Sequence, residues 1–176
     1  MKLKILSCFL EKKIIRQVKM SKNIRIQINS LSSSPIAFNK ASLHFNLQNE
    51  IVFIPIERKS IASFEQTLIK VDDKQTQQSF YIFLNNSNIV INDEIATINT
   101  FSEAKLYIED KLNFPKEIIK HELKQVTQEI NFLTASLSIG LKVDEAIRLN
   151  YLKELQFELK MKLALNLIEY KGDYNE

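Results

Sequence analysis

Side chains able to do chemistry are few in this sequence, and they are spread along it. His44 falls in a stretch where Ala41, Leu43, Phe45 and Leu47 alternate with Ser42, His44 and Asn46. That period-two pattern predicts a half-buried strand with His44 as an exposed or edge side chain. A single histidine without cysteines or nearby carboxylates makes no metal site. His121 lies on a predicted helix beside Glu117 and Glu122, off its apolar stripe. There it reads as half of an i,i+4 surface pair with Glu117 or Gln125. Asp72-Asp73 and Asp93-Glu94 are acidic pairs in predicted turns, whereas a paired-carboxylate site needs two groups converging in a cleft. The two glycines, Gly140 and Gly172, are too far apart for a phosphate-binding loop. Cys8 is the one cysteine, which excludes an internal disulfide and a cysteine-based zinc site and fits a reducing compartment. Lysines near it would lower its pKa, but no partner base is identifiable. These residues predict no catalytic site, cofactor site or metal site, and a chain that is not an enzyme by itself.

The elements that would have to position a functional surface are more telling. From Asn113 to Tyr170 the sequence predicts two long helices folded back on each other at Gly140. Ile119, Leu123, Val126, Ile130, Leu133 and Leu137 step alternately by four and three, one stripe on one helical face. Asn113 is the expected N-cap, with Pro115 in the first turn and Glu117 at the positive end of the helix dipole. Ser136, Ser138 and Gly140 favour a left-handed stop. Asp144 restarts the helix, and Leu152, Leu155, Leu159 and Leu163 form a second stripe. Stripes this long must be covered, so the pattern asks for an antiparallel hairpin and for a partner surface.

Upstream, Ile24, Ile26 and Ile28 alternate with Arg25 and Gln27 as a first strand. Ser30 to Pro35 is a break. Gln48-Asn49 turns the His44 strand into Ile51–Ile54, which Pro55 ends or puts at an edge. Ile61 to Phe64 is ambiguous, and Thr67 to Val71 is a strand. Phe80 to Leu84 is a continuous apolar strand, Asn85-Asn86-Ser87-Asn88 a tight turn with Asn supplying positive φ, and Ile89–Ile91 and Ile95–Ile98 are further strands. Short strands so closely spaced predict an all-β sandwich or barrel. Ser102 is the expected cap of a short helix from Glu103 to Leu112. The expected fold class is α+β, an N-terminal β-sandwich followed by a C-terminal antiparallel two-helix hairpin. The expected division is a basic extension over 1–21, a β-sandwich domain over 22–101 and a helical hairpin domain over 102–176.

Charge is divided in the same way. The 176 residues carry a net +3, yet eight basic residues and only Glu11 fall within the first 25, leaving the remainder at −4. The body mixes its charges, so nucleic-acid binding is not expected of it. Met1 to Met20 admits three readings: a mitochondrial presequence, against which Glu11 and the scarcity of Ser and Arg count; an exported signal, which lacks a small-residue cleavage site; or an extension ahead of a start at Met20. Ile5 to Leu10 is too short to span a membrane, and no transmembrane segment is expected.

The order of these elements resembles the epsilon subunit of the F-type ATP synthase, called delta in mitochondria. The resemblance is carried by Phe80-Tyr81-Ile82-Phe83-Leu84, Asn85-Asn86, Ile89-Val90-Ile91, Asn92-Asp93, Ile95-Ala96-Thr97-Ile98 and Ser102-Glu103-Ala104. This follows the family's cadence of apolar strand, Gly-Gly turn, Val-x-Val strand, second turn, Val-rich strand and link into the helices. Ile24 to Ile28 followed by Ser34-Pro35-Ile36-Ala37-Phe38 looks like its opening strand and Pro-containing turn. The chain departs from the family in having Asn-Asn for Gly-Gly, and neither glycine nor histidine between Gln48 and Phe64. Arg148 is the only arginine after Arg58, so no nucleotide site is carried over. The resemblance implies a non-catalytic central-stalk subunit. Its partners would be a gamma-like subunit, the alpha/beta catalytic hexamer and a membrane rotor ring. It implies a peripheral location on the cytoplasmic face of a bacterial membrane, or on the matrix side of the mitochondrial inner membrane. The expected partner-binding residues are Leu123, Val126, Ile130, Leu133, Leu152, Leu155 and Leu159, with Lys153, Lys160 and Lys162 facing acidic groups of the hexamer. The alternative is a structural adaptor, a β-domain with a coiled-coil hairpin in an unrelated assembly such as a motility complex.

Overall fold

Alternation of Ile24, Ile26 and Ile28 gives strand β1 (Ile24–Ser30), with Ile26 and Ile28 fully buried. It opens an α+β chain that a computed structural model describes over residues 23–46, 51–56, 59–136, 140 and 142–172. The basic extension with Cys8, the Gln48-Asn49 turn, Leu137 and Ser138 lie outside the described residues. The strands are β1, β2 (Ile36–Asn46), β3 (Phe53–Pro55), β4 (Ser60–Asp73), β5 (Ser79–Ile91), β6 (Ile95–Thr100) and β7 (Tyr107–Glu109). Helices α1 (Lys116–Ser136) and α2 (Val143–Leu165) follow, and β8 (Leu167–Glu169) returns to the sheet.

Pairing runs antiparallel from β1 to β2, β2 to β4, β4 to β5 and β5 to β6. An odd-numbered up-and-down series leaves its first and last strands pointing the same way. Accordingly, β6 closes on β1 in parallel, Arg25 opposite Ile95 through Ser30 opposite Thr100. The result is a five-stranded barrel within a single eight-stranded sheet, with β3, β7 and β8 as additions. Inside it pack Phe38, Phe80, Ile82, Leu84, Ile89 and Ile98, all fully buried. Such a continuous apolar filling makes the barrel interior a packed core.

One expected turn and one ambiguous stretch are strand. Asn85 to Asn88 lies within β5, which continues to Ile91 in unbroken register with β4. Asn86 does take a positive φ of 48°, but inside the strand. There it switches the buried face from even positions (Phe80, Ile82, Leu84) to odd ones (Ser87, Ile89, Ile91). Asn tolerates the left-handed region better than other non-glycine residues, because its short side chain interacts locally. Ile61 to Val71 is likewise one strand, β4. In β2 a bulge between Phe38 and Ala41 shifts parity, which is why only the second half of that strand alternates as expected.

The expected helix over Glu103–Leu112 is absent. Ser102 instead accepts a hydrogen bond from the Asn85 amide, and Tyr107–Glu109 forms an edge strand. Nor is Asn113 the cap of α1. Its side chain donates to Asp110 at 2.7 Å, while the Pro115 carbonyl accepts the first helical bond from Ile119. Gly140 adopts φ +97° between the helices. Glu145 accepts a bond from the Lys142 amide at 2.9 Å to begin α2. That helix ends at Leu165, short of the expected Tyr170. Asn166 turns into the left-handed region at φ 53°, and the next three residues pair with β7.

Candidate functional site

Among the described residues no constellation of catalytic type forms around the histidines. His121 is exposed on α1, and its neighbour Glu117 pairs with Lys120 at 2.9 Å. His44, expected to be an exposed or edge side chain, is partly buried in a strand paired on both sides. It stands beside Asp72 on the outer face of the barrel, Nδ1 3.5 Å from Oδ2 without a hydrogen bond. Ser79 donates to Asp72 at 2.6 Å, and Lys70 Nζ lies 3.3 Å away. Burial lowers the His44 pKa below its ordinary value, against the pull of Asp72 and with the help of Lys70 and Lys74. Burial acts to raise Asp72, but the Ser79 hydrogen bond and the Lys70 charge outweigh it and hold the carboxyl low. Here Ser79 and His44 both turn toward the carboxylate, so no hydroxyl is aimed at an imidazole base. Asp73, expected to point into water, is buried and caps its own turn through bonds from the Gln75 and Thr76 amides. Among the described residues no three His, Cys, Asp or Glu groups converge as metal ligands.

The hairpin is organised by three surfaces. Its seam is filled by Val126, Ile130 and Leu133 of α1 with Leu149, Leu152 and Leu159 of α2, and Leu123 and Leu155 pack at its border. Thus the leucines expected to meet a partner cover one another in this conformation. Arg148 clasps Glu129 with two bonds of 2.9 and 3.1 Å, and Gln156 donates to Thr127, so ascending positions on α1 meet descending ones on α2 and the helices are antiparallel. Among the nominated lysines, Lys153 and Lys160 are exposed. Lys162 is engaged, 2.6 Å from Glu158 and 4.7 Å over the Tyr107 ring.

The second surface docks the C-terminal half of α2 on the outside of the barrel. Met161, Leu68, Tyr81, Tyr107 and Leu167 form a buried cluster, with Phe157 set edge-on to Phe83 at 6.2 Å. Glu154 receives the Gln66 side chain on its carbonyl and Asn85 on its carboxylate, both at 3.0 Å. Tyr107 donates to Glu158, and Tyr81 donates to Glu109. Burial and these carboxylates together push both phenols well above the ordinary value. These contacts were missed in the sequence, although one sign of them was there. An apolar run with no polar alternation, Phe80 to Leu84, marks a strand covered on both faces. Beyond α2, Tyr170 donates its amide to Leu106 and stacks edge-on to Phe80 at 5.3 Å. Both ends of the hairpin are therefore tied into the sheet.

The third surface is bare. Val143, Ile147 and Tyr151 continue the docked row of α2 toward the hairpin tip, with exposures of 76%, 63% and 53%. Phe132 on α1 is also exposed.

Comparison with known proteins matches the chain in two parts. A family model described as the UU051 N-terminal domain matches residues 25–105, and one described as the uncharacterised protein UU051 C-terminal domain matches 120–170. A protein of Ureaplasma parvum serovar 3 (strain ATCC 700970), described as uncharacterized protein UU051, is 31% identical over 160 residues, covering 89% of this chain and 94% of that one. The chain belongs to the UU051 family. The first UU051 model ends before β7 and the second begins inside α1. β7 lies between the two matched regions and pairs with β5 of the first and with β8 of the second. No described helix is long and apolar enough to cross a membrane.

Proposed function

We propose that the chain is a non-catalytic, epsilon-like subunit of the central stalk of an F-type ATP synthase or of a diverged F-type motor. The observation that carries this reading is the order and docking of the two parts: a strand domain first, then an antiparallel helical hairpin lying against its outer face. On this reading the opposed walls of the barrel do the work of the epsilon β-sandwich, packing on a gamma-like subunit and, where one is present, on the membrane rotor ring. The chain would then work at the cytoplasmic face of a bacterial membrane, or at the matrix side of the mitochondrial inner membrane. The hairpin would be the element that a partner biases between packings. In a raised state its seam would be shared with gamma, and Lys153, Lys160 and Lys162 would meet acidic residues of the alpha/beta hexamer. The test is native co-purification of the tagged chain with mass spectrometry of what stays bound. Recovery of a gamma-like coiled-coil protein with alpha- and beta-type ATPase subunits is expected, and recovery of no ATPase component under gentle conditions would overturn the reading.

A structural adaptor is the second reading, and one observation favours it. The β7–β8 ladder and the Tyr170–Phe80 contact hold the far end of the hairpin on the sheet, so raising it would break backbone pairing as well as side-chain contacts. An adaptor whose hairpin stays down needs no such break.

A further inference from the structure

The bare row on α2 has a geometry that fits a copy of itself. Val143, Ile147 and Tyr151 are each four residues apart, on the helix face that farther along buries Met161 against the sheet. A two-fold axis at Ala146 sets two such helices antiparallel. Val143 and Ile147 of one then fall midway between two apolar side chains of the other, in the order Tyr151, Val143, Ile147, Ile147, Val143, Tyr151 with alternate members from alternate copies. The same axis brings Asp144 of each copy level with Arg148 of the other. Both side chains are exposed on one flank of the row. Arg148 is already steadied by Glu129 and by the Tyr151 ring, 5.6 Å from its guanidinium carbon. A guanidinium has donors to spare for a second carboxylate. The hydrogen bonds from the barrel to α2 begin at Glu154, past the last member of the row at Tyr151.

We infer that the hairpin tip is a homodimer surface, whose occupant is the α2 tip of a second copy of this chain. The surface is isologous, the same residues serving on both sides, as a closed two-fold dimer requires. It is small, at the low end of specific interfaces, so the dimer is a weak, concentration-dependent one. The inference stands apart from the stalk reading, since it needs nothing but this chain.

The experiment is sedimentation equilibrium of the full chain from about 1 to about 300 μM, a range that brackets weak association. The expected result is a mass rising from 20.5 kDa toward twice that value. Ile147→Asp is expected to hold the chain at monomer mass throughout. Asp144→Arg, which sets arginine against Arg148 at both symmetric contacts, is expected to weaken association about tenfold. Ile147 and Asp144 are both exposed, so an unchanged thermal melt for each variant confirms an intact fold. Monomer mass for the unmodified chain over the whole range would overturn the inference and leave the row to a different protein. A dimer that Ile147→Asp does not weaken would overturn it equally.

Discussion

The two apolar rows of α2 make an instructive contrast. One faces α1, and its Leu149, Leu152 and Leu159 are buried. The other begins at Val143, changes character at Glu154 and is covered only where the barrel lies beneath it. Leucines populate the first row. The second passes from Val, Ile and Tyr through two glutamates to Met161, and the glutamates each take a specific hydrogen-bond donor from the sheet. A helix with two apolar rows has two neighbours to satisfy. The seam row holds the hairpin together, whereas the outer row decides what the hairpin lies on.

This contrast can be broken most sharply in the seam. Leu152 is 1% exposed. Leu152→Ala is expected to cost about 3 kcal/mol, as burial of a large side chain and the cavity it leaves both count. The measurement is urea unfolding followed by far-ultraviolet circular dichroism. Phe157→Ala removes a half-buried ring from the docking face. It is expected to cost about 2 kcal/mol and to raise hydrogen exchange in β8 and at the Tyr107 amide more than in the barrel core. A smaller effect is expected from pH. The folded-state pKa of His44 lies below 6.5. The unfolded chain therefore takes up the proton first, and stability is full above pH 6.5 and falls as the pH drops toward the folded value. Asp72, also lowered, adds a loss in the same direction at more acidic pH. The midpoint of urea unfolding should decline on acidification from pH 7 to 5, and His44→Gln should flatten that slope. The smallest effect is expected in the outer row, where Ile147→Asp should leave monomer stability within about 0.5 kcal/mol. A loss as large as that of Leu152→Ala would show that the outer row has a neighbour within the chain and would erase the distinction.

Much of this plan was legible from spacing alone. The seam stripes, the stop at Gly140, the first strand and the closing β5–β6 turn all follow from local periodicity and turn chemistry. What the pattern hid has specific causes. Asn85-Asn86 carries the residue types of a turn, yet the long-range pairing of Phe64 with Ser87 and Gln66 with Asn85 holds it in a strand. Leu165 to Tyr170 continues an apolar pattern that suits a helix. The left-handed Asn166 and the waiting edge of β7 turn it into a strand. The docking face was the least visible part, because glutamates read as solvent-facing until Asn85, Gln66 and Tyr107 are brought to them by residues distant in sequence.

The ladder between β7 and β8 also has a consequence for how the molecule comes together. Its two strands are separated in sequence by the whole hairpin, and closing so long a loop from a disordered chain is entropically slow. A helical hairpin is built from local contacts and forms early on that scale. Once formed, it folds the intervening chain back on itself and delivers Leu167 near Glu109 with most of that loop already closed. The helices that look like an appendage to the barrel would thus act in folding as the jig that seats its last strand.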